Sequence, residues 1–136
     1  MRLLKPLFET RVMTMEAHPQ RLQEARDWAQ QAAADAGLDE PDCFQVRLAM
    51  SEAVANAIQH GSSEESDAIR IQACQRNGSL VFEISDTGNF VAPVAHSTHE
   101  DESGRGLEVL AMIMDEVQMT SAGDGSVLRF AKRLAD

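Results

Sequence analysis

The sequence predicts an α+β fold, a mixed β-sheet with helices packed on one face. Three observations predict it. Residues 20–36 and 47–61 both read as helices with distinct apolar and polar stripes. Asn77-Gly78 separates two short alternating runs, the strongest short-range signal for a hairpin. The elements follow one another as β-α-α-β-β-loop-α-β-β, an order that leaves the helices to cover one side of the sheet.

Residues 7–15 alternate loosely and contain Phe, Thr and Val, so they predict a first strand. Pro6 suits the start of a strand because it has no N–H to donate. His18-Pro19 opens a helix over 20–36, rich in Ala, Gln and Glu. Leu22, Ala25, Ala29, Ala32 and Ala33 supply its buried face, and Gly37 is a fitting stop. Acidic residues in the run Asp39-Glu40-Pro41-Asp42 complement the dipole of the next helix, which ends near His60-Gly61. On that helix Gln45, Ala49, Glu52, Asn56 and His60 form one stripe. Phe44, Leu48, Ser51, Ala55 and Ile58 form a neighbouring, mostly apolar one.

A polar loop over 62–66 precedes strands at 68–74 and 80–85, the second with Leu80, Phe82 and Ile84 on one face. Residues 89–103 show no usable periodicity, and a loop of that length in a compact fold is usually functional or mobile. Gly104-Arg105-Gly106 then leads into a helix that runs to about Glu116. Strands at 117–120 and 126–132, joined by a Gly123-Asp124-Gly125 turn, complete the chain.

At 136 residues the length fits one domain spanning 1–136 with a real core. The formal charge of −10, from 22 acidic and 12 basic residues, argues against non-specific nucleic-acid binding, which needs Lys and Arg to displace counterions. Nucleotide binding stays open, since local backbone amides and a metal ion can handle phosphates. No apolar run approaches the roughly 20 residues of a membrane-spanning helix, and residues 1–6 are too short and too soon interrupted for a secretory leader. Two cysteines, Cys43 and Cys74, fit reduced thiols in a cytoplasmic protein.

Three separated pieces carry the chemistry. Glu52 and Asn56, four residues apart on a helix, present a carboxylate and a carboxamide one turn apart on the same face. Asp86-Thr87-Gly88 ends a strand, and Gly104-Arg105-Gly106-Leu107 opens a helix. Singly each has a plain reading, as an amphipathic helix, a turn and a loop-to-helix junction. Their joint order, spacing and placement make the set more specific than any one of them. The pair His96 and His99 lacks further ligands at a fixed spacing and reads as solvated loop rather than zinc site.

Together these pieces resemble the ATP-binding boxes of the GHKL superfamily, which includes gyrase, histidine kinases and heat-shock chaperones. SEAVANAIQHG, ISDTG and GRGLEVLAMIMDEV most resemble the bacterial anti-sigma factors that are also serine kinases. The resemblance covers nearly the whole chain and implies a Bergerat-type α/β sandwich binding ATP and Mg²⁺. It assigns Asn56 to the metal through its amide oxygen, a hard ligand of the kind Mg²⁺ prefers. It assigns Asp86 to the adenine amine, with Gly88 letting the backbone approach the base. Gly104, Arg105, Gly106 and Leu107 fall to the phosphates, where the N–H groups at a helix start meet anions.

The same resemblance gives Glu52 the role of base toward an attacking hydroxyl. Arg26 matches an arginine near the nucleotide end and the partner protein, and Ser126 falls where relatives carry a threonine supporting the aspartate. The implied function is an ATP-dependent anti-sigma factor that sequesters a sigma factor and phosphorylates a serine on its antagonist. Its partners would be those two proteins and a second copy in a homodimer, with no direct nucleic-acid or membrane contact. A nucleotide-dependent binding module that transfers no phosphate is the alternative. One departure is visible, since Asn89 leads straight to Phe90 and leaves the loop one residue short of the family's pattern.

Overall fold

The computed structural model describes residues 9–61, 68–86, 102–122 and 125–134. Its elements are β1 (Arg11–Glu16), α1 (Leu22–Asp35), α2 (Glu40–Asn56), β2 (Ala68–Arg76), β3 (Ser79–Asp86), α3 (Glu102–Ile113), β4 (Glu116–Ala122) and β5 (Gly125–Arg133). The strands form one five-stranded sheet in the order β1-β2-β3-β5-β4, with the helices over one face. The α+β class and the one-sided packing are as the sequence predicts.

Every ladder is antiparallel, where a mixed sheet was expected. The connections explain it. Two helices separate β1 from β2, so the chain returns to the end it left and the strands oppose each other. A single helix separates β3 from β4, and these two do run in the same direction. β5 lies between them and pairs antiparallel with both, so no parallel ladder forms.

Local chemistry sets the boundaries. The first strand begins at Arg11 and runs through Glu16, later than expected. His18 accepts a hydrogen bond from the Gln20 N–H through its Nδ1, and Pro19 opens a short 3₁₀ turn before α1. Gly37, at φ 101°, ends α1: its N–H donates to the Ala34 carbonyl and the Leu38 N–H to that of Ala33. That pair of bonds is a Schellman stop, which needs the left-handed conformation glycine adopts freely. Asp39 caps α2 by accepting from the Asp42 N–H at 3.1 Å. Asn77 (φ 53°) and Gly78 (φ 80°) form the expected two-residue hairpin turn. β4 and β5 begin at Glu116 and Gly125, one residue earlier than predicted, while residues 62–67 and 123–124 lie outside those described.

The core lies between sheet and helices. Phe82 and Phe130, directly opposite in register, stack with centroids 5.2 Å apart, and Trp28 of α1 meets Phe82 edge-on at 6.4 Å. α1 contributes the alanines predicted, Ala25, Ala29, Ala32 and Ala33, all fully buried. α2 differs from expectation. Its inward residues are Val46, Ala49, Met50, Ala53 and Val54, while Phe44 is 61% and Leu48 37% exposed. α2 is apolar around most of its circumference and lies between α1 and α3, so pattern alone does not single out the face that meets the sheet. Cys43 is buried as a free thiol donating to the Leu38 carbonyl. Burial, reinforced by Asp39, Asp42 and Glu40, pushes its pKa up.

Two polar ties fix α2. Arg47 donates to Asp27 at 2.7 Å and Gln30 at 2.9 Å, joining α2 to α1. Lys132, an inward position of β5, donates to the Gln45 side chain at 2.6 Å and to the Ile113 carbonyl at 3.0 Å, with Asp42 at 3.7 Å. It caps the C-terminal end of α3 with a cation and holds the start of α2 beside it. Lys132→Met keeps the stem but leaves those acceptors without their donor. The expected loss is about 1–3 kcal/mol, read as a lower urea midpoint at unchanged slope; an unaltered midpoint would show the tie to be idle.

Candidate functional site

The site is assembled at one end of the sandwich. Glu52 and Asn56 occupy the last two turns of α2, both half-buried. Among the described residues no hydrogen bond or ion pair joins another side chain to either, and both lie at a partly desolvated surface. α2 does not simply stop there: from Ala57 to Gly61 the chain continues as a π-helical turn. Such widened turns concentrate at functional sites. Here the turn packs against β3, which brings the Asn56 end of α2 to the sheet.

β3 ends at Asp86, whose backbone pairs with Ile69; Ile69 in turn pairs with Met15 near the end of β1. β1 hands the chain to α1 through the buried Ala17. The first half of α1, with Arg26, is therefore at the same end as Asp86. Arg26 is half-buried, and the carboxylates nearest it in sequence are engaged elsewhere: Glu24 with Arg21 at 3.1 Å and Asp27 with Arg47 at 2.7 Å. Ser126 is the second residue of β5 and directly precedes Val127, whose partner Ser85 directly precedes Asp86.

The third piece requires a correction. Gly104, Arg105 and Gly106 do not precede the helix but lie within it, since α3 begins at Glu102 and ends at Ile113 rather than near Glu116. A glycine in a helix costs roughly 0.5–1 kcal/mol, which the packing of Leu110, fully buried, and Met114 against the core can offset. The first four N–H groups of a helix have no carbonyl partner inside it. That of Gly104 remains in that set; Arg105, Gly106 and Leu107 follow it.

Direction completes the geometry. Lys132 holds the C-terminal end of α3 beside the start of α2, and α3 packs along α2. Eleven residues lead back from Ile113 to Glu102 and eleven lead from Gln45 to Asn56. At 1.5 Å per residue each path is about 16 Å. The open N–H groups of α3 thus come level with Asn56, where an anion would meet both.

This donor set fits a nucleotide with its magnesium. Among the described residues no group of three or more His, Cys, Asp or Glu side chains could form a metal cage. One amide oxygen beside a helix N-terminus instead suits Mg²⁺, which keeps waters and takes phosphate oxygens as further ligands. Thr87, Gly88, the rest of the loop through residue 101, and His96 and His99 lie outside the described residues.

Sequence reading missed Arg47, Lys132 and the π turn. A lysine in register with Leu128 and Phe130 on an inward-facing strand was a usable signal for Lys132. Nothing local marks the other two.

Comparison with known proteins places the chain. The family model described as "Histidine kinase-like ATPase domain" matches residues 15–132. The anti-sigma F factor of Clostridium acetobutylicum is 31% identical over 110 residues, covering 74% of this chain and 76% of that protein. The anti-sigma F factor of Thermoanaerobacter sp. (strain X514) is 28% identical over 96 residues, 64% of this chain and 67% of its own. In structure, the RsbU and RsbW domains of Rv1364c from Mycobacterium tuberculosis superpose with a TM-score of 0.72 at 20% identity over 94% of this chain. The match spans 33% of that longer chain. The histidine kinase domain of the blue-light activated kinase from Erythrobacter litoralis EL346 gives 0.60 at 15% identity, over 88% of this chain and 62% of that one. With the Glu52–Asn56 helix, the Asp86 strand end and the α3 start at one end of such a sandwich, the chain belongs to the histidine kinase-like ATPase (GHKL) family, in its bacterial anti-sigma factor branch.

Proposed function

We propose that this protein is an ATP-dependent anti-sigma factor that sequesters a sigma factor and phosphorylates a serine on that factor's antagonist. The observation that carries the reading is the convergence of Glu52, Asn56, Asp86 and the α3 start at one end of the helix layer. The names of the anti-sigma F factors it resembles support it. In this reading residues 1–136 act as one ATP-binding unit in the cytoplasm, in contact with protein partners and, as a homodimer, with a second copy.

Asp86 accepts the adenine amine, with Ser126 beside it and Gly88 close to the base. Asn56 would contribute its amide oxygen to Mg²⁺, and the N–H of Gly104 would meet a phosphate oxygen, with Arg105, Gly106 and Leu107 shaping the turn behind it. Bound Mg-ATP supplies a transferable phosphoryl group with its charge partly neutralised. Glu52, half-buried and one turn from Asn56, would take the proton of the incoming serine hydroxyl, the phosphoryl group passing to that oxygen as its bond to ADP breaks and ADP leaves. Arg26, at the same end on α1, faces the partner and offers a cation to the charge that develops.

Two experiments test these roles. Asp86→Asn removes a charge-assisted acceptor worth about 1.5–3 kcal/mol, so ATP should bind more than tenfold weaker by calorimetry while the melting temperature holds. Unchanged affinity would remove the adenine assignment. Glu52→Gln and Asn56→Ala should then separate base from metal ligand. Asn56→Ala should weaken Mg-ATP binding and all that follows from it. Glu52→Gln should bind ATP normally and transfer labelled γ-phosphate to the antagonist about 10²–10⁴ more slowly. A parent protein that binds ATP but labels no antagonist would leave a binding module; a Glu52→Gln variant as fast as the parent would leave Glu52 an ordinary polar residue.

A further inference from the structure

The face of the sheet turned away from the helices carries a second, unassigned feature. The register lines up side chains there in rows across the strands. Arg76 of β2, Ser79 of β3 and Arg133 of β5 form the first row, at the hairpin end. Cys74, Val81 and Ala131 form the second, with Glu116 of β4 beside them. Gln72, Glu83, Arg129 and Gln118 form the third. A groove of about 490 Å³ follows these rows, and a second of about 260 Å³ continues past Arg129 to Gln118, Thr120 and Val127.

Charge and wetness alternate along the groove. Among the described residues neither Arg76 nor Arg133 has a carboxylate within ion-pair distance, whereas Arg129 is held by Glu83 through two bonds of 2.9 and 2.6 Å. The middle row is dry: Cys74, Val81 and Ala131 are 7%, 6% and 2% exposed, on a face that no helix among the described residues covers. Arg76 reaches over it, its guanidinium within 3.7 Å of the Cys74 sulfur. The result is a cationic row, a dry row edged by Glu116 of β4, and a mixed-charge row in succession, on a protein whose net charge is −10.

We propose that this groove docks an extended acidic segment of a partner protein, with acidic, apolar and polar side chains at alternate positions. Rows two residues apart on a strand are separated by about 6.6 Å, the same step as alternate side chains of an extended peptide. A segment lying along β3 and β5 would set a carboxylate between Arg76 and Arg133, an apolar side chain on the dry row, and a further polar group at Arg129. Such bidentate guanidinium–carboxylate contacts give direction as well as strength. A single phosphate does not match cationic rows about 13 Å apart, four residues along β5. A second copy of the chain fits less well, because obligate homodimer faces are apolar. Of the large exposed hydrophobics among the described residues, only Val12 is on this face; Phe44, Leu48 and Met112 are on the helices.

The test is fluorescence anisotropy of the full chain with a labelled peptide Asp-Thr-Leu-Thr-Glu. The parent should bind it, and should bind versions with lysine at the acidic positions or serine for leucine far more weakly. Affinity should fall as salt rises. Arg76→Gln combined with Arg133→Gln should weaken binding about tenfold or more with the melting temperature unchanged; each single change, at an exposed position, serves if the pair does not fold. Equal binding by these variants would overturn the proposal. So would displacement of the peptide by equimolar inorganic phosphate, which would mark a small-anion site. Dissociation of a dimer by the peptide in sedimentation would mark a contact between copies instead, and overturn it too.

Discussion

Everything at the nucleotide end depends on how firmly α2 is seated. Val46, Ala49, Met50, Ala53 and Val54 are without solvent exposure, and small residues among them let the helix lie close to the sheet. Burial of this kind contributes on the order of 25 cal/mol per Å² of apolar surface, but it has no direction. The direction comes from polar ties. Arg47 fixes α2 against α1, and Lys132 fixes its start against β5 and the end of α3. Rotation of α2 about its axis would break both ties and expose Met50.

With its first half pinned, α2 delivers its second half to a defined place. Glu52 and Asn56 reach the surface where the helix widens into the π turn that packs on β3. The same lysine that holds the start of α2 sets the far end of α3 level with Asn56. One half-buried cation thus relates two parts of a site about 16 Å away from it, by helix length alone. The opposite face of the sheet is built on other terms, with arginines over a thin dry floor in place of a helix layer.

Features fixed by a few neighbouring residues were legible in the sequence. Asn77-Gly78 and Gly37 mark positive φ, which the backbone demands at those points. The alanine stripe of α1 names its own inward face, and the four-residue spacing of Glu52 and Asn56 puts them on one side of a helix wherever that helix goes. What depends on distant partners was not legible from local pattern. Phe44 and Leu48 face outward while alanines face in, because α2 has neighbours on three sides. The antiparallel pairing throughout follows from β5 entering between β3 and β4. The glycines of α3 read as a break, yet the helix runs through them once Leu110 is anchored. The meeting of α2, β3 and α3 at one end was reached from the sequence only through likeness to a family.

Hydrogen exchange read by mass spectrometry, with and without Mg-ATP, tests that meeting most directly. One bound nucleotide should slow exchange together in residues 52–61, at the end of β3 and in the first turn of α3, and leave the hairpin at Asn77-Gly78 unchanged. Protection confined to one of the three segments, or centred on the arginine face of the sheet, would contradict a single site built from all three.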